Sequence, residues 1–272
     1  GIIMPLIRGM ALGQYIPADT PIHRLDPRSK LLITVLSMVL IFLTKSFPAM
    51  AMWAALIFIV AKVSKIPASS LLRSAGPILI LIIFTSLLHV FFTGGETVIF
   101  SIGPLRASAE GTITAFRTGL RLFLLVLFTA LLTFTTSPSE LSDGLEAALG
   151  PLSRFGFPAH EVAMMMTIAL RFIPTLFEET ERIINAQVSR GADFESGGLL
   201  KRAKAYIPVL IPLFVLVFKR ADTLASAMET RCYRGGKGRV RMYPLTWGSA
   251  ENRAVLCFAL FSAVVLLLNR LA

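Results

Sequence analysis

The sequence predicts an all-α integral membrane protein with about five transmembrane helices and further long helices outside the bilayer. Of its 272 residues, 55% are hydrophobic and 16% are charged, and the mean hydropathy is +0.73. These values are too apolar for an ordinary soluble domain. Five apolar runs also recur along the chain, and each approaches the roughly 20 residues that a helix needs to cross a bilayer. Between the fourth and fifth runs the sequence becomes amphipathic and basic.

Short polar or basic segments separate the first four runs from one another. The first run follows the basic stretch 23–30, whereas the segment 93–111 between the third and fourth runs is nearly uncharged. We therefore expect 93–111 to be a loop on the external side. The predicted spans are about 31–47, 49–63, 77–92, 113–136 and 254–268.

The charge balance predicts the orientation. The net charge is +11, and Lys and Arg in membrane proteins collect on cytoplasmic loops. The stretch before the first run and the loop 62–73 are both basic, so we expect the N-terminus and that loop in the cytoplasm. The loop at Lys45 and the C-terminus are then external. Anionic lipid accounts for the basic excess, so no nucleic acid partner is expected.

The same pattern divides the chain into three parts. Residues 1–136 form an N-terminal membrane domain with four spans, 137–251 a cytoplasmic or interfacial domain of coupling helices, and 252–272 a C-terminal transmembrane helix. At the start of the middle part, Ser137 or Ser139 can cap a helix with acidic residues in its first turn.

The middle part contains two long helical units. The first runs from Ala159 to about Arg190. The second runs from about Leu199 to Arg231, and its apolar part, 207–218, is interrupted by Pro208 and Pro212. Because basic residues flank this apolar part on both sides, we expect it to lie in the membrane interface or against other helices rather than to span the bilayer.

A short pattern occurs once at the end of each unit. Ala186-Gln187-Val188-Ser189-Arg190-Gly191 and Ala227-Met228-Glu229-Thr230-Arg231-Cys232 both have Ala, two intervening residues, a hydroxyl residue and then Arg. A single Arg at a helix C-terminus offsets the helix dipole by about 0.3–1 kcal/mol and needs no other role. The duplication favours a second role, because two exposed guanidinium forks suit a pair of docked soluble partners.

The candidate docking residues are therefore two triplets. Motif 1 is Ser189, Arg190 and Gly191, and motif 2 is Thr230, Arg231 and Cys232. Arg234 and Gly235 are candidate auxiliary contacts beside motif 2. The pattern indicates a coupling subunit rather than an enzyme, and we expect no catalytic residues and no metal site.

These residues resemble the transmembrane T component of energy-coupling factor (ECF) transporters, the group that includes EcfT, CbiQ and BioN. The likeness extends over essentially the whole chain. The family's consensus in both motifs is Ala-Arg-Gly or a close variant, and this chain keeps Arg in both but has Cys232 where the family has Gly. We expect the segment 233–236 to supply the turn there. The likeness is carried by 23–31 (His-Arg-Leu-Asp-Pro-Arg-Ser-Lys-Leu), 136–141 (Thr-Ser-Pro-Ser-Glu-Leu), 169–174 (Ala-Leu-Arg-Phe-Ile-Pro) and the two motifs.

The resemblance implies a function and a set of partners. Two ABC-type ATPases, identical or distinct, would dock on the helices that end in the motifs, and a membrane-embedded S component would bind the vitamin or metal ion that is imported. ATP and Mg would be bound by the ATPases, and this chain would need no cofactor. It would lie in the bacterial or archaeal cell membrane as a multi-pass protein with its coupling helices in the cytoplasm.

Four other features carry weaker predictions. The Gly-rich run 235–239 lacks the spacing of a phosphate-binding loop. His89 is expected to form a hydrogen bond near a membrane interface. Arg171 is expected to pair structurally with Glu161, Asp143 or Glu140. Met164, Met165 and Met166 form either an adaptable contact surface or ordinary packing.

Three other classes of membrane protein remain as alternatives. A conventional ABC importer permease also contacts ATPases, but usually through one coupling helix per chain. A self-contained membrane transferase needs a cluster of catalytic carboxylates, a Ser/His pair or a metal set, and the sequence has neither Asp-Asp-x-x-Asp nor His-Glu-x-x-His. A secondary transporter predicts broken helices at mid-membrane and an inverted repeat.

Overall fold

The computed structural model describes residues 15–93, 98–102, 105–194, 196, 198–235 and 247–271. These residues form two compact units. The membrane unit comprises described residues within 15–144 and 247–271, and the motif unit comprises described residues within 145–235. The helices and strands in chain order are α1 (Pro27–Leu43), α2 (Phe47–Val63), α3 (Ala68–Phe92), β1 (Val98–Ile102), β2 (Leu105–Ser108), α4 (Ala109–Thr135), α5 (Pro138–Leu149), α6 (Ala159–Ser189), α7 (Leu199–Ala205), α8 (Ile207–Thr230) and α9 (Ser249–Leu271), with a 3₁₀ turn at Gly150–Phe155.

Helices occupy all five predicted spans, which confirms the all-α membrane class. By length and composition, α3, α4 and α9 can cross a bilayer. Helices α1 and α2 have 17 residues each, about 25 Å at 1.5 Å per residue, against a hydrocarbon core of about 30 Å. The start predicted for the third span, 77, is wrong because α3 begins at Ala68 and contains Pro77 in its interior. Membrane helices tolerate an interior proline when neighbouring groups satisfy the freed carbonyl.

Helices α1 and α9 run parallel, and hydrogen bonds tie them together at both ends. At their start, the Glu251 carboxylate accepts from the backbone N–H of Asp26 at 3.2 Å. At their end, the Asn269 side-chain oxygen accepts from the backbone N–H groups of Lys45 at 2.7 Å and Ser46 at 3.1 Å. The first and last predicted spans therefore begin on the same side of the membrane unit.

The core of the membrane unit surrounds Trp53 on α2, which is fully buried. Its ring lies 6.1 Å from Phe128 on α4, and 6.4 Å and 5.0 Å from Phe258 and Phe261 on α9. Its indole N–H donates to the Thr44 hydroxyl at 3.3 Å. One side chain thus joins three helices and satisfies its own polar group, as a buried Trp requires.

The stretch 23–31 has a structural role at the start of α1. Asp26 caps the helix by accepting from the backbone N–H of Arg28, and Pro27 occupies its first turn. Lys30 is buried, and its ammonium donates to the carbonyls of His23 at 2.8 Å and Thr135 at 3.1 Å. A buried ammonium needs such acceptors, so this residue joins the segment before α1 to the end of α4.

The predicted loop 93–111 contains a two-stranded antiparallel hairpin. Strands β1 and β2 pair Ser101 with Arg106 and Ile102 with Leu105. The sequence Val98-Ile99-Phe100 has the β-branched and aromatic residues that strands prefer, but such a short apolar run is ambiguous in a chain dominated by helices.

The start of α5 forms a reciprocal cap. The Ser137 hydroxyl accepts from the backbone N–H of Glu140 at 3.3 Å, and the Glu140 carboxylate accepts from the backbone N–H of Ser137 at 3.1 Å. This capping box assigns the predicted cap to Ser137.

The motif unit contains α6, α7 and α8. The predicted first helix, Ala159 to about Arg190, is confirmed by α6. The predicted second unit is divided at Tyr206 into two helices, α7 and α8. Pro208 lies in the first turn of α8, where proline is tolerated. Because proline disfavours helical conformation in the residue before it, α7 does not continue into α8. The prediction that Pro212 interrupts the apolar part is wrong, since α8 continues through it.

One face of α8 is apolar and exposed within the motif unit. Its residues recur at helical spacing, and each is between 47% and 67% exposed: Ile207, Leu210, Ile211, Phe214, Val215 and Phe218. Because each of these side chains is at least 47% exposed, the alternative prediction for this segment, burial against other helices, is wrong for this face within the motif unit. The prediction that it lies in the membrane interface remains.

Candidate docking site

The two motifs end their helices with the same hydrogen-bond pattern. At the end of α6, the backbone N–H of Gly191 donates to Val188 at 2.9 Å and that of Ala192 donates to Gln187 at 2.9 Å. At the end of α8, the backbone N–H of Cys232 donates to Glu229 at 2.9 Å and that of Tyr233 donates to Met228 at 3.0 Å. Both are Schellman motifs. The duplication in the sequence is therefore a duplication of structure.

The turn of motif 2 is made by Cys232 itself. Gly191 has a φ of +86° and Cys232 a φ of +58°, so both occupy the left-handed region. The prediction that 233–236 would supply this turn in place of Cys232 is wrong for that position, although Gly235 also has a positive φ, +83°. Gly236 lies outside the described residues. The hydrogen bonds of the cap hold the cysteine in a conformation that costs an L-residue about 1–2 kcal/mol.

The hydroxyl residue before each Arg is engaged by its own helix. The Ser189 hydroxyl donates to the carbonyl of Asn185 at 3.0 Å, and the Thr230 hydroxyl donates to the carbonyl of Ala227 at 3.1 Å. These bonds satisfy the hydroxyl donors locally. Arg190 and Arg231 follow as the C-caps with φ of −91° each. Both are exposed, and neither forms an ion pair within the described part of the chain.

Helices α6 and α8 pack antiparallel, which places the two motifs at opposite ends of the pair. The Gln187 amide donates to the carbonyl of Pro208 at 3.5 Å, and Arg220 donates to Glu179 at 3.1 Å. Farther along, Ile168 of α6 and Met228 of α8 line the same cleft. Sequence position thus rises along α6 as it falls along α8. Each Arg is exposed at the end of its own helix, so the pair presents two similar basic ends.

A basic cleft lies beside motif 2. It has a volume of about 730 Å³, and three arginines are among the residues that line it, Arg171, Arg231 and Arg234. Gly235 lines it as well, so both auxiliary residues predicted from the sequence lie with Arg231. Guanidinium forks bind carboxylates bidentately, so a cleft of this composition suits an acidic side chain of a partner.

The position of Arg171 in this cleft was not predicted from the sequence. The predicted structural ion pair with Glu161, Asp143 or Glu140 is wrong, because Arg171 makes no ion pair among the described residues and lines the cleft instead. One feature of the sequence could have indicated this position. Arg171 lies in the apolar half of α6 and has no acidic residue one helical turn away on the same helix. The antiparallel packing of α6 and α8, which brings it to Arg231, was not visible in the sequence.

The remaining candidates have simpler positions. His89 forms a hydrogen bond to the Thr93 hydroxyl at 3.3 Å at the end of α3, as expected. Met164 lines the cleft, whereas Met165 and Met166 are exposed. Within the described ranges, no group of three or more His, Cys, Asp or Glu side chains is arranged to hold a metal ion. The run 235–239 lies outside the described residues after Gly235.

The chain is similar in sequence to known transport proteins. The family model described as "Cobalt transport protein" (CbiQ) matches residues 18–243. The "Energy-coupling factor transporter transmembrane protein EcfT" of Thermanaerovibrio acidaminovorans is 49% identical over 267 residues, which cover 98% of this chain and 99% of the relative. The proteins of the same name from Acidaminococcus fermentans and Bacillus subtilis are 50% identical over 246 residues (90% of this chain and 91% of the relative) and 40% identical over 264 residues (97% and 100%).

Apolar helices long enough to cross a bilayer, together with these relatives, define a multi-pass cell-membrane component of a transporter. The chain belongs to the CbiQ/EcfT family, the transmembrane T components of ECF transporters.

Proposed function

We propose that this T component couples two ABC-type ATPases to a membrane-embedded, substrate-binding S component in an importer of a vitamin or metal ion. The observation that carries the proposal is the pair of matching helix ends. Each presents an exposed Arg as the C-cap of a helix that ends in a Schellman turn, and the antiparallel packing of α6 and α8 places them at opposite ends. Two equivalent docking points suit the two halves of an ATPase dimer.

The contact at each end is charge-assisted. Arg190 and Arg231 offer planar guanidinium forks that can donate to a carboxylate and to carbonyls of the ATPase. Because neither is paired within the described part of the chain, docking needs no internal ion pair to break. The cleft with Arg171 and Arg234 adds positive charge beside motif 2, so we expect that end to hold its ATPase more tightly.

The work of ATP is done outside this chain. ATP and Mg are bound by the ATPases, and this T component is a non-catalytic subunit. When ATP closes the ATPase dimer, the two docked helix ends are drawn toward each other, and the S component responds to the movement. This arrangement requires 137–251 to act as the cytoplasmic coupling domain, with the N-terminus and the loop 62–73 on the same side of the membrane.

A pull-down in mild detergent tests the proposal. The tagged chain is purified from its native membrane beside the variant Arg190→Glu/Arg231→Glu. The control is Lys201→Glu/Arg202→Glu, which makes the same change in charge at exposed positions of α7. We expect ATPases and a small membrane protein with the wild type and the control, and loss of the ATPases from the motif variant. Retention of the ATPases by the motif variant, or their absence from the wild type, would contradict the proposal.

A further inference from the structure

One ion pair joins the C-terminal half of α6 to the middle of α8. The Arg220 guanidinium donates to the Glu179 carboxylate at 3.1 Å, and the two side chains are 30% and 24% exposed. It is the sole ion pair between these helices among the described residues. Arg182 also lies 3.6 Å from Glu179, but it belongs to the same helix and is 73% exposed, so it contributes nothing to holding the helices together.

The pair lies at equal distances from the two motifs along the chain. Eleven positions separate Glu179 from Arg190, and eleven separate Arg220 from Arg231. Each of these segments is continuous helix up to its C-cap and contains no Gly or Pro. At 1.5 Å per residue each extends about 16 Å, which sets the two Arg residues roughly 30 Å apart with the ion pair midway between them.

The other side-chain hydrogen bond between α6 and α8 in the described residues is longer and uncharged, so it is weaker than this pair. The Gln187 amide reaches Pro208 at 3.5 Å, the limit of a hydrogen bond, and toward the Arg231 end a cleft of about 730 Å³ opens between the helices. Apolar contacts are not directional. An Arg–carboxylate pair is directional, and it is a point contact, so it opposes a shift of one helix along the other while permitting a change in the angle between them.

We infer that Glu179 and Arg220 are positioning residues that form the pivot of the coupling helices. The inference rests on the proposed function of the two Arg ends. Closure of the ATPases draws the ends together by rotation about this pair, and the pair keeps the displacement of the two ends equal. Without it, part of the displacement is lost as α6 slides along α8.

Distance measurement between spin labels tests the pivot. Val188 and Glu229 are exposed and hold equivalent places two residues before each Arg. They are changed to Cys in the background Cys232→Gly/Cys257→Ser, which keeps the left-handed turn and removes the native thiols. The isolated protein should give one narrow distance distribution, roughly 30 Å. Glu179→Ala should broaden it, and the exchanged pair Glu179→Arg/Arg220→Glu should restore it. Arg182→Ala is the matched control and should leave it unchanged.

The second measurement uses the labelled protein in complex with its copurified ATPases, before and after addition of Mg and a non-hydrolysable ATP analogue. The wild type should shift to a shorter distance as a single population. In Glu179→Ala the fraction of molecules that shift should fall by roughly five-fold, which is the low end of the range for coupling between two sites. The amount of bound ATPase should stay the same. If Glu179→Ala fails to fold, Glu179→Gln, which keeps the side chain's shape, takes its place.

The two proposals fail in different ways. A narrow distribution and a full shift in both Glu179→Ala and Glu179→Gln would overturn the pivot and leave the docking function intact. If the wild type binds no ATPase, the docking function fails, and the distances in the isolated protein still decide whether the ion pair sets the register of the helices.

Discussion

Gly191 and Cys232 occupy the same position in two copies of one helix-ending turn, with φ of +86° and +58°. Each follows an exposed Arg and donates its backbone N–H to the residue three places earlier, Val188 and Glu229 respectively. A glycine adopts this conformation freely, whereas a cysteine is strained in it. The shared turn shows that the geometry of the motif is kept even where the glycine is replaced.

Replacing Cys232 by Gly should stabilise the protein. The left-handed conformation costs an L-residue about 1–2 kcal/mol, and part of that gain is offset because glycine has more conformational entropy in the unfolded chain. We expect a net gain of about 0.5–1 kcal/mol, seen as a higher midpoint of thermal unfolding in detergent. Gly191→Ala is the matched opposite change and should lower the midpoint. An equal or lower midpoint for Cys232→Gly would contradict the strained turn.

Removing Arg171 should weaken ATPase binding although Arg171 lies outside both motifs. It lines the cleft beside Arg231 and Arg234. Arginine is enriched among the interface residues whose truncation costs more than about 1 kcal/mol, and we expect a loss of about 1–2 kcal/mol, or roughly five- to thirty-fold in affinity. Titration of purified ATPase against the protein in detergent measures the effect.

Three comparisons make the Arg171 test specific. Arg171→Lys should restore only part of the affinity, because an ammonium lacks the planar fork. Lys201→Ala, at an exposed position on α7, is the control and should bind normally. Arg231→Ala should weaken binding more than Arg190→Ala, since the described cleft accompanies motif 2. Normal affinity in Arg171→Ala would show that the cleft takes no part in docking.

Truncation of Trp53 should destabilise the membrane unit strongly. The side chain is fully buried and contacts three phenylalanines on two other helices, and Trp→Ala changes in cores cost about 3–5 kcal/mol. Trp247 is 45% exposed, so Trp247→Ala is the matched control and should cost far less. Thermal unfolding in detergent compares the two variants, and equal midpoints would argue against a core centred on Trp53.

Glu251→Gln should weaken the join between α1 and α9. Both oxygens of the carboxylate accept backbone N–H groups, from Asp26 at 3.2 Å and from Gly248 at 2.8 Å. A glutamine presents an N–H₂ group to one of these donors, and a buried donor without an acceptor costs about 1–3 kcal/mol. Thermal unfolding should show a lower midpoint, whereas an unchanged midpoint would mean that the buried carboxylate adds nothing to stability.

Much of the fold could be predicted because local signals decide it. The length of the apolar runs located five helices. Ser137 and Glu140 form the expected capping box. Arg190 and Gly191 correctly marked the C-terminus of α6. Proline was the weaker guide. Pro77 and Pro212 both lie inside helices, since the surroundings in a tertiary structure can satisfy the carbonyl that a proline leaves free.

The candidate site was predictable in its residues but not in its arrangement. The repeated Ala-x-x-Ser/Thr-Arg pattern identified both helix ends. The left-handed backbone conformation of Cys232 was not predicted, because cysteine rarely adopts it. The hydrogen bonds of the Schellman motif impose this conformation in spite of the residue type. The cleft with Arg171 and the ion pair between Glu179 and Arg220 depend on the antiparallel packing of α6 and α8, which joins residues more than forty positions apart.

Cross-linking from both helix ends tests the central claim most directly. A photo-reactive amino acid is placed at Val188 in one variant and at Glu229 in another, with Ile211 on the apolar face of α8 as the control position, and the complexes are irradiated in native membranes. Docking of ATPases at both motifs predicts an ATPase cross-link from Val188 and from Glu229 but none from Ile211. A cross-link from one end alone, or from neither, would contradict the claim that this chain holds two ATPases by matching helix ends.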